Sequence, residues 1–168
     1  MSLNTVQEIE HAIRALTPSE LEDLYAWLDR YCPQPIDTQL KADLEAGRIV
    51  DRIVQGAFER AANFVRDARP LSEAELQHWI LDEFRAAGVT TAEPPIAAVQ
   101  PNNGSPHYEP KPGASSPIRA GDLLLLDVWA KMSRPGSVYY DVTWMGYLGS
   151  RVPDTYARIF RIVREARG

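Results

Sequence analysis

One segment constrains this chain more than any other. It is the run LLLLDVWAKM, residues 123 to 132, followed by Ser133-Arg134-Pro135-Gly136 and then by VYYDVTWMGYL, residues 138 to 148. Two β-type runs joined by a proline-glycine turn predict an antiparallel hairpin. Asp127 interrupts the first run, which is otherwise apolar as far as Ala130. An ionised carboxylate in such a strand is costly unless it is paired or bound to a cation. Folding the hairpin about Arg134 places residue 127 opposite residue 141, and residue 141 is also an aspartate. Directly opposed like charges destabilise a sheet. Two carboxylates so placed can hold a proton or a metal between them, and hard divalent cations suit oxygen ligands. Equally, one aspartate could face solvent or pair with Lys131, Arg119 or Arg134, and a bulge could separate the two. The spacing leaves both readings open. His107, in the polar loop Asn102-Asn103-Gly104-Ser105-Pro106-His107-Tyr108, is a further candidate, because loops carry function more often than their share.

The chain before residue 88 reads as helices. Thr17-Pro18-Ser19-Glu20 and Ser72-Glu73-Ala74-Glu75 are capping boxes, each followed by an apolar stripe: Leu21, Leu24, Tyr25, Leu28 in one case and Leu76, Trp79, Ile80, Phe84 in the other. Between them Asp37 can cap a helix with Leu40 and Leu44 on its face and Gly47 as its stop. Ile49, Ile53, Ala57, Ala61 and Phe64 continue helically to about Asp67. The helical tryptophans Trp27 and Trp79 are expected in the core. Gly88 ends the fourth helical stretch. Residues 94 to 117 are rich in proline, glycine and asparagine and read as loop around a short strand, residues 96 to 99. Tyr156, Ile159, Phe160 and Val163 form a last helical stripe.

Composition sets the class. At 168 residues with 45% hydrophobic and 24% charged side chains, a packed core is expected. A net charge of −5 argues against nucleic acid, which needs a basic footprint. The single cysteine, Cys32, excludes an internal disulfide framework, fits a reducing compartment and is expected to be inert packing. The charged N-terminus has no apolar signal region, and no run is long enough to span a bilayer. The expectation is a cytoplasmic protein with neither nucleic acid nor membrane as partner.

Three segments in order carry a family resemblance: EAELQHWILDEFRAAGV, PPIAAVQPNNGSPHYEP and IRAGDLLLLDVWAKMSRPGSVYYDVTWMGYLG. Together they are similar to the pita-bread metallopeptidases, the superfamily of Xaa-Pro aminopeptidase, Xaa-Pro dipeptidase and methionine aminopeptidase. The resemblance spans about the last two-thirds of the chain. Added to the helices read from the residues before it, it implies an α+β fold: a helical segment, residues 1–56, for which the family has no counterpart, followed by a partial, half pita-bread domain, residues 57–168, with an antiparallel hairpin. It also implies a centre of two divalent metals, manganese or cobalt first and zinc or iron next, bridging a water that attacks the scissile carbonyl of a peptide substrate. Asp127 and Asp141 match the family's two metal-binding aspartates, and His107 matches its substrate-facing catalytic histidine. The family's metal-binding histidine and its two glutamates follow those aspartates. Here His11, His78 and His107 all precede them, so two of five ligands are expected and the site is expected to be incomplete.

Residues 12 to 55 resemble, more faintly, short antitoxin-like bacterial proteins. Two functions therefore stand side by side. One is a fragmentary, bacterial metallo-aminopeptidase that is inactive alone. The other is a non-catalytic interaction protein whose helical N-terminus binds a partner or whose chains self-associate.

Overall fold

The computed structural model describes residues 5–31 and 35–167; Cys32 lies outside them. By its contacts the chain divides into two compact units, Met1–Lys41 and Ala42–Gly168. Helix α1, Val6–Arg14, opens on a capping box in which the Glu8 amide donates to Thr5 Oγ1 and the Thr5 amide to Glu8 Oε2. Helix α2, Pro18–Tyr31, starts on the expected box, with the Thr17 amide donating to Glu20 Oε2 at 2.8 Å. Trp27 is exposed rather than buried. Its neighbours Leu21, Leu24 and Leu28 hold the more sheltered positions of α2.

Helix α3, Pro35–Arg66, is one helix of 32 residues. The stop expected at Gly47 does not occur, and the boundary drawn after residue 56 falls inside this helix. Gly47 has a packing role instead. A Cβ there would lie 3.1 Å from the Tyr140 ring, so its missing side chain lets helix and strand approach. From Ala46 onward α3 buries a stripe at helical spacing: Ile49, Val50, Ile53, Val54, Ala57 and Ala61.

Helix α4, Glu73–Ala87, is capped as read from the sequence: the Glu75 amide donates to Ser72 Oγ, and Glu75 Oε2 accepts from the Ser72 amide at 2.7 Å. Gly88 ends it with a left-handed φ of 72°, which glycine adopts without steric cost. Leu76, Ile80 and Phe84 form its buried face. The hydrogen bonds from the Ser72 side chain and then its backbone hold the Glu75 carboxyl below its ordinary 4.5. A depressed carboxyl stabilises the fold fully above its unfolded value and loses that contribution as pH falls through the folded one. Ser72→Ala is therefore expected to cost about 1 kcal/mol at neutral pH. Its effect should shrink as pH falls below 4.5, measured by chemical denaturation across pH; an effect independent of pH would count against the capping box.

The sheet has four strands: β1, Val89–Thr90; β2, Ile96–Ala98; β3, Leu123–Met132; and β4, Tyr140–Tyr147. Strand β3 is central. It pairs antiparallel with β1 and β2 along one edge and with β4 along the other. Its residues alternate: Leu124, Leu126, Val128 and Ala130 are fully buried, whereas Leu123, Leu125, Asp127, Trp129 and Lys131 are partly exposed. The even face joins the α3 and α4 stripes in a single core. Helix α5, Asp154–Arg167, completes the chain and buries none of its residues. Helices before a strand-rich half, with an antiparallel hairpin, make the α+β arrangement expected. Among the described residues no helix is long and apolar enough to cross a membrane.

Candidate metal centre

The hairpin register decides how the aspartates meet. Asp127 pairs with Thr143, and Asp141 pairs with Trp129. The direct opposition of the two aspartates expected from a turn centred on Arg134 is thus corrected. The turn runs Arg134-Pro135-Gly136-Ser137, with the Ser137 amide donating to the Arg134 carbonyl at 3.4 Å and Gly136 at φ 79°. Proline second and a left-handed glycine third is the type II pattern. The strand pairs themselves are centred on Pro135, one residue after Arg134, so each residue's partner shifts by two. Because side chains alternate with period two, a two-residue shift keeps both aspartates on the same face. Asp127 and Asp141 are diagonal neighbours there, a relation that places Cα atoms roughly 7–8 Å apart.

Their surroundings match none of the pairings offered by the sequence. Arg134 pairs with Glu45 at 3.7 Å, and the Lys131 ammonium sits over the Tyr139 ring. Arg119 offers its backbone amide to Asp122. Asp127 Oδ1 accepts a hydrogen bond from Thr143 Oγ1 at 2.5 Å. Among the described residues neither aspartate has an ion pair. Two carboxylates on one partly open face, without a counter-cation, suit a hard divalent ion. Among the described residues, however, no cluster of three or more histidine, cysteine, aspartate or glutamate side chains could hold a metal. Among the described residues no third such side chain joins the two carboxylates, which are fewer donors than a pair of metals needs.

His107 is exposed in the loop between β2 and β3. That loop is tied to the first residue of β3, on the aspartates' face. The Leu123 amide donates to Gln100 Oε1 at 2.9 Å, and Asn103 Nδ2 donates to the Leu123 carbonyl at 2.8 Å. Next to His107, the Tyr108 hydroxyl donates to Glu73 Oε2 at 2.7 Å. Burial first, then that bond and the charge of Glu73, push the Tyr108 phenol up to about 12. Glu73, fully buried at the start of α4, was missed in the sequence. Its spacing offered a signal: 73, 76, 80 and 84 form one helical stripe, and the other three positions are core. A cleft of about 700 Å³ between α3 and α4, lined by Arg60, Glu75, His78 and Trp79 among others, includes none of the three candidate site residues.

A family model described as metallopeptidase family M24 matches residues 45–167. The chain belongs to this family. Among solved structures, the chain is similar to the dipeptidase PepE from Mycobacterium ulcerans, with a TM-score of 0.54 and 21% identity over 76% of this chain and 32% of that one. It is also similar to the X-Pro aminopeptidase from Thermotoga maritima MSB8, with a TM-score of 0.53 and 19% identity over 72% of this chain and 31% of that one. At these identities the likeness is one of fold. The chain spans about a third of the length of either peptidase. No curated protein matches. The match starts within the first half of α3, next to Ala46, where the buried stripe begins.

Proposed function

We propose that this chain carries the aspartate part of an M24 peptidase centre, of the kind that removes N-terminal residues from peptides, Xaa-Pro peptides among them. The observation that carries this reading is the placement of Asp127 and Asp141 on one partly open face, with no ion pair to either among the described residues. In this reading both aspartates are metal ligands and His107 faces the substrate. The metal is a single divalent ion, manganese or cobalt before zinc or iron, held weakly because two carboxylates leave most of its coordination to water. No bond-breaking step follows from two ligands, so the chain by itself is inactive. A cytoplasmic setting fits its one cysteine.

Isothermal calorimetry with manganese and cobalt, joined to an assay on Xaa-Pro peptides, tests this. The expected result is weak binding of one ion, lost in Asp127→Asn and in Asp141→Asn, with no peptide released above background. Tight binding of two metals per chain, or turnover that disappears in Asp127→Asn, would overturn it.

A second reading has its own observation. Helix α1 leaves Val6, Ile9 and Ile13 exposed, and α5 leaves Ile159, Phe160, Ile162 and Val163 exposed. Such surfaces mark interaction sites. On this reading the helices before the matched segment form a separate piece that binds a protein partner in an antitoxin-like role.

A further inference from the structure

We propose that Glu73 is a positioning residue, whose buried carboxylate fixes the loop that carries His107 against the aspartate-bearing sheet. The consequence for His107 rests on the site reading above; the anchoring of the loop does not.

The carboxylate accepts from four groups. The Val99 amide donates to Oε1 at 2.8 Å, and the Ser116 amide donates to Oε2 at 2.8 Å. The Tyr108 hydroxyl donates to Oε2 at 2.7 Å, and Asn102 Nδ2 lies 3.1 Å from both oxygens. Asn102 Nδ2 also reaches Ser116 Oγ at 3.1 Å. Every donor lies on the segment from 99 to 116, while Glu73 lies on α4. One side chain therefore gathers both ends and the middle of a loop that has no regular structure except the 3-10 turn Asn102–Gly104. Long irregular loops are uncommon in compact domains, because ordering each of their residues costs backbone entropy that contacts must offset.

The chemistry requires an acid at this position. All four neighbours donate, so the centre must accept at both oxygens. A glutamine would turn an NH2 group toward two of the donors. No lysine or arginine pairs with Glu73 among the described residues. Its charge is met by the four donors and by its place in the first turn of α4, where the helix dipole favours an anion. The outer side of the same loop is bound to Leu123 through Gln100 and Asn103. Leu123 and Asp127 share a face of β3. The chain of contacts thus runs from Glu73 through Tyr108 and Asn102 to the strand that carries Asp127, with His107 next to Tyr108.

The test uses the full chain with Glu73→Gln and Tyr108→Phe. Tyr108→Phe keeps the ring and removes one hydroxyl, so it decides the matter if Glu73→Gln fails to fold. Amide hydrogen exchange between residues 100 and 116 should rise about tenfold or more, the factor set by losing a hydrogen bond to a charged group, while β3 and α4 keep their protection. Manganese bound at the aspartates broadens nearby nuclear resonances steeply with proximity. At equal occupancy it should broaden the His107 ring signals less in both variants than in the parent chain. Exchange that changes only in step with global unfolding would overturn the anchoring. Loosened exchange with no broadening of His107 in the parent chain would keep the anchoring and sink the reading that joins His107 to the aspartates.

Discussion

Phe84→Ala is expected to destabilise the domain by about 3–5 kcal/mol, the range for removing a buried phenylalanine. Phe84 closes the α4 stripe below Leu76 and Ile80 and is 2% exposed. Those three side chains meet Leu124, Leu126 and Val128 of β3 in one core, so the space left by the ring borders helix and sheet at once. Domains of this size are stable by about 5–15 kcal/mol, and the loss would consume a large share of that. Phe160→Ala is the internal control. Phe160 is 67% exposed on α5, and its removal should stay within about 0.5 kcal/mol. Urea denaturation of the two variants compares them directly. Equal losses at both positions would mean that the core described here does not hold the chain together.

The second large effect concerns association. Helix α5 places Tyr156, Ile159, Phe160 and Val163 along one side, and nothing among the described residues buries that side. Tyr156 is partly covered by the Tyr147 ring, at a centroid distance of 6.1 Å. Trp144 and Met145 on β4 are 40% and 51% exposed, and the outer edge of β4 has no partner among the described strands. Apolar patches and free strand edges recruit other chains. Light scattering during size exclusion, at tens of micromolar protein, is expected to give a mass above the 18.8 kDa of one chain. The paired change Ile159→Asp with Phe160→Asp is expected to return it toward one chain without lowering the thermal midpoint, since neither residue is in the core. A monodisperse 18.8 kDa species from the unaltered chain, with a cooperative thermal transition, would remove this expectation.

Much of this architecture is visible in the residues before any coordinates. The capping boxes at Thr17 and Ser72 are local, and the hydrogen bonds that define them span three residues. The strand character of β3 is legible in its apolar run, although which face is buried emerges only from the packing, and the family resemblance led to the segment that the family model matches. What escaped depends on contacts between distant segments. Gly47 reads as a helix stop until the Tyr140 ring is seen to pack against it. The sequence reading sets the turn one residue earlier, on Ser133 to Gly136, whereas proline prefers the second position that Pro135 takes in the turn from Arg134 to Ser137. Trp27 reads as core because it is a large aromatic on a helix, yet it stands beside the stripe of Leu21, Leu24 and Leu28 and is exposed. Glu73 was hidden by its own capping box: Glu75 explains the motif, and the second acid looks like ordinary first-turn charge.

Strand β3 has a consequence for how such a chain can change over generations. Its even positions carry the packing, and its odd positions carry Asp127 and the partly open face. A substitution at Asp127 removes a candidate ligand but takes no atom from the core, whereas one at Val128 does the reverse. Loss of chemistry and loss of folding are therefore separable events, one residue apart. A lineage released from selection for peptide cleavage can forfeit its ligands one by one while the sheet, the helices and the family signature persist under selection for folding alone.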